Sequence, residues 1–211
     1  YSGGPRVRVM QFAPGTWRLA ALPLVAGAIA TVFSPLWGVL GVILAGLFVW
    51  FHRDPERHPP DSGVVSPADG TVTVCRTETH DGVERVRVGV FMNVTDVHIN
   101  RAPVAGTVTG VQHVPGGHWP AFAKDAEQNE RLHVDLGATR VTLIAGTVAR
   151  RIYAHVDVGE SVERGGRIGH VSFGSRADVL LPERFEQSDV TVETGETVRA
   201  GESVLAVDPG Q

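Results

Sequence analysis

The chain has 211 residues, of which 43% are hydrophobic and 20% are charged, and its net charge is −4 at neutral pH. This composition supports one or two folded domains and excludes disorder over the whole chain. The negative charge argues against a nucleic-acid-binding protein, which normally carries a basic patch. A single cysteine, Cys75, excludes an intramolecular disulfide framework and a cysteine-rich zinc module.

Lysine is nearly absent, since only Lys124 among the 19 basic residues is a lysine. Schiff-base chemistry on a lysine, as in enzymes that use pyridoxal phosphate, therefore has one candidate residue. A lipoyl or biotinyl carrier domain is restricted to the same side chain. The sequence gives little support to either class.

Residues 1–52 form a region that we expect to associate with a membrane. No charged residue occurs between Arg18 and Arg53, which leaves 33 mostly apolar residues at positions 19–51. Uncharged apolar runs of this length are typical of membrane-embedded segments. A cleaved signal peptide is the alternative, but its apolar core is normally about 7–15 residues long.

Ser34 and Pro35 divide this apolar run into two pieces, because proline breaks or kinks a helix. As helices, the pieces 19–33 and 36–51 would each be about 22–24 Å long, slightly short for a hydrocarbon core of about 30 Å. We therefore expect a hydrophobic helical hairpin that enters one leaflet, with one tilted span as the alternative. The flanking arginines place both ends of the hairpin on the cytoplasmic face of the cell membrane.

The rest of the chain, residues 53–211, is predicted to be β-rich. Short runs of Val and Thr alternate with glycine turns, which is typical of strands. Only the stretch Ala121–Arg131 is helix-like. The predicted strands are Thr71–Cys75, Val86–Phe91, Val104–Val111, Val141–Ala145, Val148–Ala154 and Ile168–Phe173.

Two sets of internal repeats occur in this β region. Residues 156–171 and 192–207 share the pattern VxxGExVxxG at an offset of 36 residues, and Gly-Thr-Val occurs at 70–72, 106–108 and 146–148. A repeated strand-turn-strand unit explains both sets and resembles the barrel-sandwich hybrid of lipoyl and biotinyl domains. The expected fold is mainly β, a barrel-sandwich-hybrid-like domain with internal repeats, preceded by the hydrophobic helical hairpin.

Three polar clusters interrupt the apolar strands, and each alone has an ordinary explanation. Residues 66–70 (SPADG) are a good turn, His98 can be a structural histidine, and Gly174-Ser175 is more often a turn than a nucleophile. No His-x-x-x-His zinc motif, phosphate-binding glycine loop or Gly-x-Ser-x-Gly motif occurs in the sequence. We therefore expect no metal site.

Together with the segment that follows the apolar run, these clusters resemble the short form of the phosphatidylserine decarboxylase family, including its archaeal archaetidylserine relatives. One such motif is weak, whereas five in the same order are highly specific. The matching stretches are 51–57 (FHRDPER), 66–70 (SPADG), 91–103 (FMNVTDVHINRAP), 129–131 (NER) and 167–182 (RIGHVSFGSRADVLLP).

The resemblance implies a proenzyme that cleaves itself between Gly174 and Ser175, into a β chain of residues 1–174 and an α chain of residues 175–211. A glycine at 174 would allow close approach and a strained backbone at that bond. Ser175 would become a pyruvoyl cofactor, with neither metal nor pyridoxal phosphate. This ketone would form a Schiff base with the amine of the substrate and accept electrons as CO₂ leaves.

The activity implied by the resemblance is decarboxylation of phosphatidylserine to phosphatidylethanolamine, or of the archaeal ether-lipid equivalent. Asp69 matches the acid that orients the self-cleavage base, and His98 matches the histidine of the decarboxylation step. The long bacterial form has its cleavage base where this chain has Arg101, and arginine cannot be a base at neutral pH. The candidates for that base are therefore His98, His155 and His133.

Three residues are candidates for substrate binding. Arg101 and Arg176 could hold the carboxylate or phosphate of the substrate, with a salt bridge as the alternative role of Arg176. Asn100 lies beside Arg101 in the same motif. The expected partners are a phospholipid, the membrane and the two cleavage chains as a heterodimer; a further homo-oligomer is left open, and no nucleic acid is expected.

Two other functions fit part of the sequence. A membrane-tethered barrel-sandwich adaptor would use the repeats and the N-terminal anchor, but it has no use for Gly-Ser in a strand. A sugar-phosphotransferase-like domain with a phosphate-carrying histidine tolerates the turn at 66–70, but it would not carry the apolar hairpin.

Overall fold

In the computed structural model the chain divides into two units, Tyr1–Glu56 and Arg57–Gln211. The described residues are 11–13, 16–117, 119, 121, 128–147, 152–171 and 174–209. Lys124 and most of the stretch Ala121–Arg131, for which the sequence predicts a helix, lie outside them. Arg131 itself begins a strand.

The first unit contains two helices, α1 (Thr16–Ala30) and α2 (Pro35–Phe51). Ser34 caps the start of α2, where its Oγ accepts a hydrogen bond of 3.4 Å from the Leu36 N–H. Pro35 occupies the first helical position, where its missing N–H leaves no bond unmade. The predicted division of the apolar run into two helices at Ser34-Pro35 is confirmed.

The two helices pack against each other where each has a glycine. A Cβ added at Gly41 would lie 2.9 Å from the Gly27 Cα, so the backbones are in close contact. A short pair of strands, β1 (Gln11–Phe12) and β2 (Arg53–Asp54), belongs to the same unit. Among the described residues, no helix combines the length and the apolar character needed to cross a membrane.

The second unit is built from antiparallel strands around one apolar core. A short 3₁₀ helix, Gln187–Asp189, is its regular helical element among the described residues. The strands, in chain order, are β3 (Val64–Val65), β4 (Gly70–His80), β5 (Val83–Met92), β6 (Ile99–Arg101), β7 (Gly106–Val114), β8 (Arg131–Leu136), β9 (Thr139–Ile144), β10 (Ile152–Ala154), β11 (Ser161–Val162), β12 (Arg167–Val171), β13 (Ser175–Leu180), β14 (Thr197–Val198) and β15 (Val204–Ala206).

Eight of these strands form one curled sheet in the order β11-β7-β8-β9-β13-β5-β4-β14. Three others form the sheet β10-β12-β6, and β15 pairs with β3. The prediction of a mainly β domain is confirmed, and each predicted strand overlaps an observed one within the described residues. The boundary between the two units falls four residues later than the one predicted at 52/53.

The strand β13 lies in the middle of the large sheet, between β5 and β9. All six of its residues are buried. Because side chains alternate along a strand, one face of β13 carries Ser175, Ala177 and Val179, and the other carries Arg176 and Asp178. Ala177 and Val179 belong to the apolar core, so the Ser175 side chain lies on the core face.

Segments that are 36 residues apart make matching backbone hydrogen bonds. The Gly159 N–H donates to the Val108 carbonyl and the Gly195 N–H to the Val72 carbonyl, both at 2.8 Å. The pairing of β11 with the start of β7 likewise matches the pairing of β14 with the start of β4. Asp69 is an exception to the sequence correspondence, because alanine stands 36 residues later.

Gly70 and Gly106 occupy matching positions in the two segments, but their surroundings differ. Gly70 has a φ of +143°, and a Cβ there would lie 2.0 Å from the Phe91 carbonyl oxygen, whereas a Cβ at Gly106 would meet nothing within 4 Å. We expect Gly70→Ala to lower the free energy of unfolding by more than about 2 kcal/mol, because backbone strain and the collision add.

The matched control, Gly106→Ala, should change the free energy of unfolding by less than about 1 kcal/mol. Urea unfolding followed by circular dichroism measures both variants. Equal destabilisation by the two substitutions would contradict this account.

Candidate active site

Ser175 is fully buried at the head of β13. Its register partner on β5 is Met92, and its Oγ lies 3.9 Å from the Met92 Sδ. A hydroxyl in this position is screened from water and held by a strand that is paired on both sides. The structure therefore presents Ser175 as an ordered, buried candidate nucleophile.

Gly174 adopts a left-handed conformation with a φ of +63°. A Cβ at this position would meet nothing within 4 Å, so the backbone conformation, rather than space, calls for glycine here. The close approach expected at Gly174 occurs at Gly146 instead, where a Cβ would lie 1.7 Å from the Gly174 carbonyl oxygen. The expectation is corrected on this point, because the crowded side of the bond belongs to the segment that follows β9.

Asn100 is fully buried on β6 and contacts the same methionine as Ser175. Its Nδ2 lies 3.6 Å from the Met92 Sδ and 3.5 Å from the Pro67 carbonyl oxygen. Its Oδ1 is buried and has no hydrogen-bond partner among the described residues. Leaving a buried acceptor unsatisfied costs about 1–3 kcal/mol, so this oxygen is a candidate acceptor for a ligand.

His98 lies on the loop between β5 and β6, and Met92 and Asn100 therefore bracket it in sequence. The loop is held by a turn in which the Asp96 carboxylate accepts a hydrogen bond of 2.7 Å from the Asn93 N–H. The His98 Nδ1 lies 2.9 Å from the Asp96 carbonyl oxygen. This contact assigns a proton to Nδ1, so the neutral ring carries its basic lone pair on Nε2.

Asp69 binds Arg57, and it forms no hydrogen bond with a histidine among the described residues. The Arg57 Nη2 donates to both carboxylate oxygens at 2.9 and 2.7 Å, and the Ala200 N–H donates to Oδ1 at 2.7 Å. The structure thus does not bring Asp69 to a candidate base by direct contact. Its predicted role in orienting that base stays a prediction.

Arg57 also joins Asp69 to a second acid, Glu202, to which its Nη1 donates at 3.2 Å. Burial raises the pKa of the Glu202 carboxyl, but hydrogen bonds from the His58 N–H and from Arg57 outweigh burial, so this pKa lies below its ordinary value. Ala200 and Glu202 follow Ser175 in the chain. The cluster therefore links segments on either side of the Gly174–Ser175 bond.

The two arginines predicted to bind substrate both have protein partners. The Arg101 Nη1 donates to the Gly165 carbonyl at 2.9 Å. Arg176 forms a buried two-point pair with Asp178, at 2.8 Å from Nε to Oδ1 and 3.0 Å from Nη2 to Oδ2. The salt bridge, the alternative role of Arg176, is present in the structure, and substrate binding by either arginine stays a prediction.

Asp178 binds a second arginine as well, because the Arg87 Nε donates to its Oδ2 at 2.9 Å. Burial lowers the pKa of Arg87, but the charge and hydrogen bonds of Asp178 and Glu78 outweigh burial and raise it above its ordinary value. One buried carboxylate therefore serves two guanidinium groups. This charged cluster lies on the face of β13 opposite to Ser175.

His133, a candidate cleavage base, lies on that same opposite face. Its Nδ1 is 2.9 Å from the Thr142 Oγ1, and Thr142 is the register partner of Asp178. Burial and the positive charges of Arg140 and Arg131 lower the pKa of His133. The structure thus separates His133 from the Ser175 hydroxyl.

His155, the other candidate base, pairs with a histidine that the sequence analysis did not single out. Its Nε2 lies 2.8 Å from the Nδ1 of His170. Tyr153 stacks on His170 with a centroid distance of 4.5 Å. Because His170 is the register partner of Ile99 on β6, this pair lies one strand away from the loop of His98.

Four residues that contact the candidate residues, or that lie in the hydrogen-bonded surroundings of the bond, were not predicted as functional candidates from the sequence. Three of them, Arg57, Met92 and Asn129, lie within the stretches that match the family, and this could have marked them as candidates. Gly146 lies in the third Gly-Thr-Val tripeptide and had no signal of its own. Their contacts join residues that are far apart in sequence.

Comparisons with known proteins agree with the motif pattern. The profile of the phosphatidylserine decarboxylase family matches residues 44–206. A Halobacterium salinarum protein with the provisional name archaetidylserine decarboxylase proenzyme is 58% identical over 193 residues, which cover 92% of this chain and 97% of that protein. Phosphatidylserine decarboxylase proenzymes from Streptomyces griseus and Thermobifida fusca are 47% and 43% identical, over 85% and 99% of this chain and 86% and 98% of those proteins.

The buried charge cluster gives a stability prediction. We expect Asp178→Asn to lower the free energy of unfolding by about 3–5 kcal/mol, because the buried Arg176 loses its counter-charge and the half-buried Arg87 loses one acidic partner while it keeps Glu78. Urea denaturation at neutral pH measures this change. The control is Asp208→Asn, since Asp208 pairs with Arg184 at 3.2 Å but the two side chains are 34% and 60% exposed.

Loss of that exposed pair should cost less than about 1 kcal/mol. If the two substitutions had similar effects, the Asp178 cluster would not be holding the sheet.

Proposed function

This chain belongs to the phosphatidylserine decarboxylase family, and we propose that it removes the carboxyl group from the serine head group of a phospholipid. The product is phosphatidylethanolamine or the archaeal ether-lipid equivalent. The observation that carries the proposal is the bond between Gly174 and Ser175, where a left-handed glycine precedes a fully buried serine. The relatives' names support a proenzyme that must be processed.

Maturation begins when the Ser175 Oγ attacks the Gly174 carbonyl carbon, which replaces the amide by an ester and frees the Ser175 amine. Elimination then removes the proton from the Ser175 Cα, breaks the Cβ–Oγ bond and releases residues 1–174 with a C-terminal carboxylate, which leaves a dehydroalanine at position 175. Water displaces the nitrogen as ammonia and leaves a pyruvoyl group at the start of residues 175–211. The buried Ser175 hydroxyl, preceded by a glycine in the left-handed conformation that glycine readily adopts, supports this site of cleavage.

A base must take the proton from the Ser175 hydroxyl. His98 is our candidate, because its loop runs from Met92 to β6, which carries Asn100, and the Met92 sulfur contacts both Asn100 and Ser175. Because the His98 Nδ1–H donates to the Asp96 carbonyl oxygen, Nε2 is the basic nitrogen of the ring. Asp69 would act indirectly, by holding Arg57 and the Ala200 backbone beside the cleaved segment.

The residues around Ser175 fit a pyruvoyl group, and the fit rests on the buried Oδ1 of Asn100, which lacks a hydrogen-bond partner in the part of the chain that the structure describes. When present, the group supplies a carbonyl that condenses with the substrate amine and withdraws electrons as CO₂ leaves. Asn100 would accept a hydrogen bond from that amine. His98 would deliver a proton to the product carbon, and Arg101 would bind the carboxylate or phosphate of the substrate.

The two cleavage chains are proposed to stay together as a heterodimer. Residues 175–211 contain β13, β14 and β15, and each of these strands pairs with a strand that precedes the cleavage site. The Arg57–Glu202 and Asp69–Ala200 contacts cross the same division. Separation of the chains would therefore expose the core of the sheet.

We further propose that the first unit holds the enzyme on the cytoplasmic face of the cell membrane. Most large apolar side chains of α1 and α2 are exposed, and Phe33 in the loop between them is 85% exposed. Two packed helices with such a surface suit insertion into one leaflet as a hairpin. A lipid substrate gives this anchor a purpose, because the lipid chains stay in the bilayer while the head group is processed.

The matching hydrogen bonds 36 residues apart support a duplicated strand-turn-strand unit of the barrel-sandwich type. The Arg101 N–H donates to the Pro67 carbonyl and the Val65 N–H donates to the Pro103 carbonyl, each at 2.9 Å. The donors Val65 and Arg101 are 36 residues apart, and so are the acceptors Pro67 and Pro103. Each copy of the unit therefore donates to the other in the same way, as expected for two copies related by a two-fold axis. We infer that one copy acquired the acid Asp69 for function.

Intact mass spectrometry under denaturing conditions tests the cleavage. We expect two chains, residues 1–174 and a pyruvoyl-blocked chain that starts at position 175, because the Ser175 hydroxyl is placed to form the ester. Ser175→Ala should give a single chain, since it lacks the nucleophile. A wild-type chain that stays intact on prolonged incubation would overturn the proposal.

Activity on lipid separates the roles of His98 and Arg101. Because His98 is also the candidate cleavage base, His98→Gln should first slow self-cleavage. For the fraction that is processed, counted as pyruvoyl-bearing chain by mass spectrometry, we expect kcat on phosphatidylserine vesicles to fall about 10²- to 10⁴-fold, as loss of a proton donor does. Arg101→Gln should raise KM with a smaller effect on kcat, because it removes a binding contact. The anion-binding role of Arg101 fails if its variant cleaves itself and binds substrate as the wild type does.

A further inference from the structure

We propose that Gly146, held in place by Asn129, positions the Gly174 carbonyl for self-cleavage. The inference rests on the proposed cleavage at Gly174–Ser175 and adds two residues to it. Neither would touch the lipid substrate, so both are positioning residues. Asn129 lies in the motif NER, and Gly146 begins the third Gly-Thr-Val tripeptide.

The space beside Gly146, and not its φ angle, requires a glycine at this position. Its φ lies outside the left-handed region, so φ alone does not call for glycine at this position. A Cβ at Gly146, however, would lie 1.7 Å from the Gly174 carbonyl oxygen and 2.9 Å from the carbonyl carbon. The next neighbour, the Ala121 Cβ, would be at an ordinary 3.6 Å. The collision is therefore with the carbonyl group that Ser175 is proposed to attack.

The strand register explains how the two glycines meet. The ladder between β9 and β13 ends with Ile144 opposite Arg176. Two residues further, Gly146 faces Gly174. The Gly174 carbonyl thus lies just past the end of a regular ladder, where the Cα of Gly146 forms one wall of its surroundings.

The side-chain amide of Asn129 makes three hydrogen bonds that hold the segment before Gly146 in place. It is fully buried, and its Nδ2 donates to the Ala145 carbonyl at 2.7 Å and to the Trp119 carbonyl at 2.6 Å. Its Oδ1 accepts a hydrogen bond of 2.7 Å from the Trp119 N–H. Because the Ala145 carbonyl belongs to the peptide that enters Gly146, Asn129 sets the plane of this peptide directly.

The other side of Ala145 is held as well, since its N–H donates to the Glu130 carbonyl at 3.0 Å. Residues 129 and 130 therefore bind both backbone groups of the residue before Gly146. Because Gly146 is fixed by these hydrogen bonds, its Cα keeps the Gly174 carbonyl in one orientation relative to the Ser175 Oγ. Reaction between groups held in place needs such alignment, and a displacement of about 1 Å can cost about 100-fold in rate.

The test compares Gly146→Ala with Gly106→Ala in the full chain. Self-cleavage is followed after synthesis by intact mass spectrometry, and folding by near-ultraviolet circular dichroism. We expect Gly146→Ala to slow cleavage by about 100-fold or more, because the added methyl group displaces the carbonyl. The control glycine faces open space and should leave the rate unchanged within about twofold, in keeping with its lack of contacts.

Hydroxylamine identifies the step that is blocked, because it cuts the ester but not the amide at Ser175. In the folded Gly146→Ala protein we expect little hydroxylamine-sensitive chain, since the carbonyl is misplaced before the ester forms. If the variant accumulates the ester, or cleaves at the wild-type rate, the proposal is overturned.

Asn129→Asp is the second variant, because it keeps the acceptor for the Trp119 N–H and loses both donors. It should slow cleavage while the fold is retained. A normal rate in this variant, or loss of folding in both variants, counts against a positioning role. Failure of the wild type to cleave would instead defeat the proposed function itself, so the two failures are distinguishable.

Discussion

The pairing of β13 on both sides is the constraint on which the candidate site depends. Its ladder with β5 sets Ser175 against Met92, and its ladder with β9 leads Gly174 to Gly146. Both contacts lie where the ladders end, so regular strand pairing stops at the bond proposed to be cut. A central strand cannot shift by one residue without moving every one of its side chains to the other face, and this fixes the serine on the core side.

The alternation of side chains along β13 places the candidate nucleophile on one face of the strand and a buried charged cluster on the other. Arg176 and Asp178 point away from Ser175, where Asp178 also binds Arg87. Buried charges of this kind need their partners, because an uncompensated charge in the interior costs several kcal/mol. The charged face can thus anchor the sheet while the core face surrounds the reacting bond. Among the described residues, the site keeps the Ser175 hydroxyl buried while its charged neighbours Arg176 and Asp178 are paired with each other.

The sequence by itself determined features that depend on neighbouring residues. Alternating Val and Thr predicted the strands, because a strand buried on one face repeats every two residues. Ser34 and Pro35 predicted the start of α2, because capping needs only the first turn of a helix. The five ordered motifs identified the family, and they placed Ser175, His98 and Asp69 among the candidates before any fold was known.

Only the tertiary structure decided which distant residues meet. Asp69 lies with Arg57 rather than with a histidine, and His133 lies on the face opposite Ser175. The crowded position beside the scissile carbonyl is Gly146, although the sequence directed attention to Gly174. These outcomes follow from strand register and pairing order, which arise from packing of the whole core. Local patterns carry no information on such long-range pairings, so they could not have been read from the motifs alone.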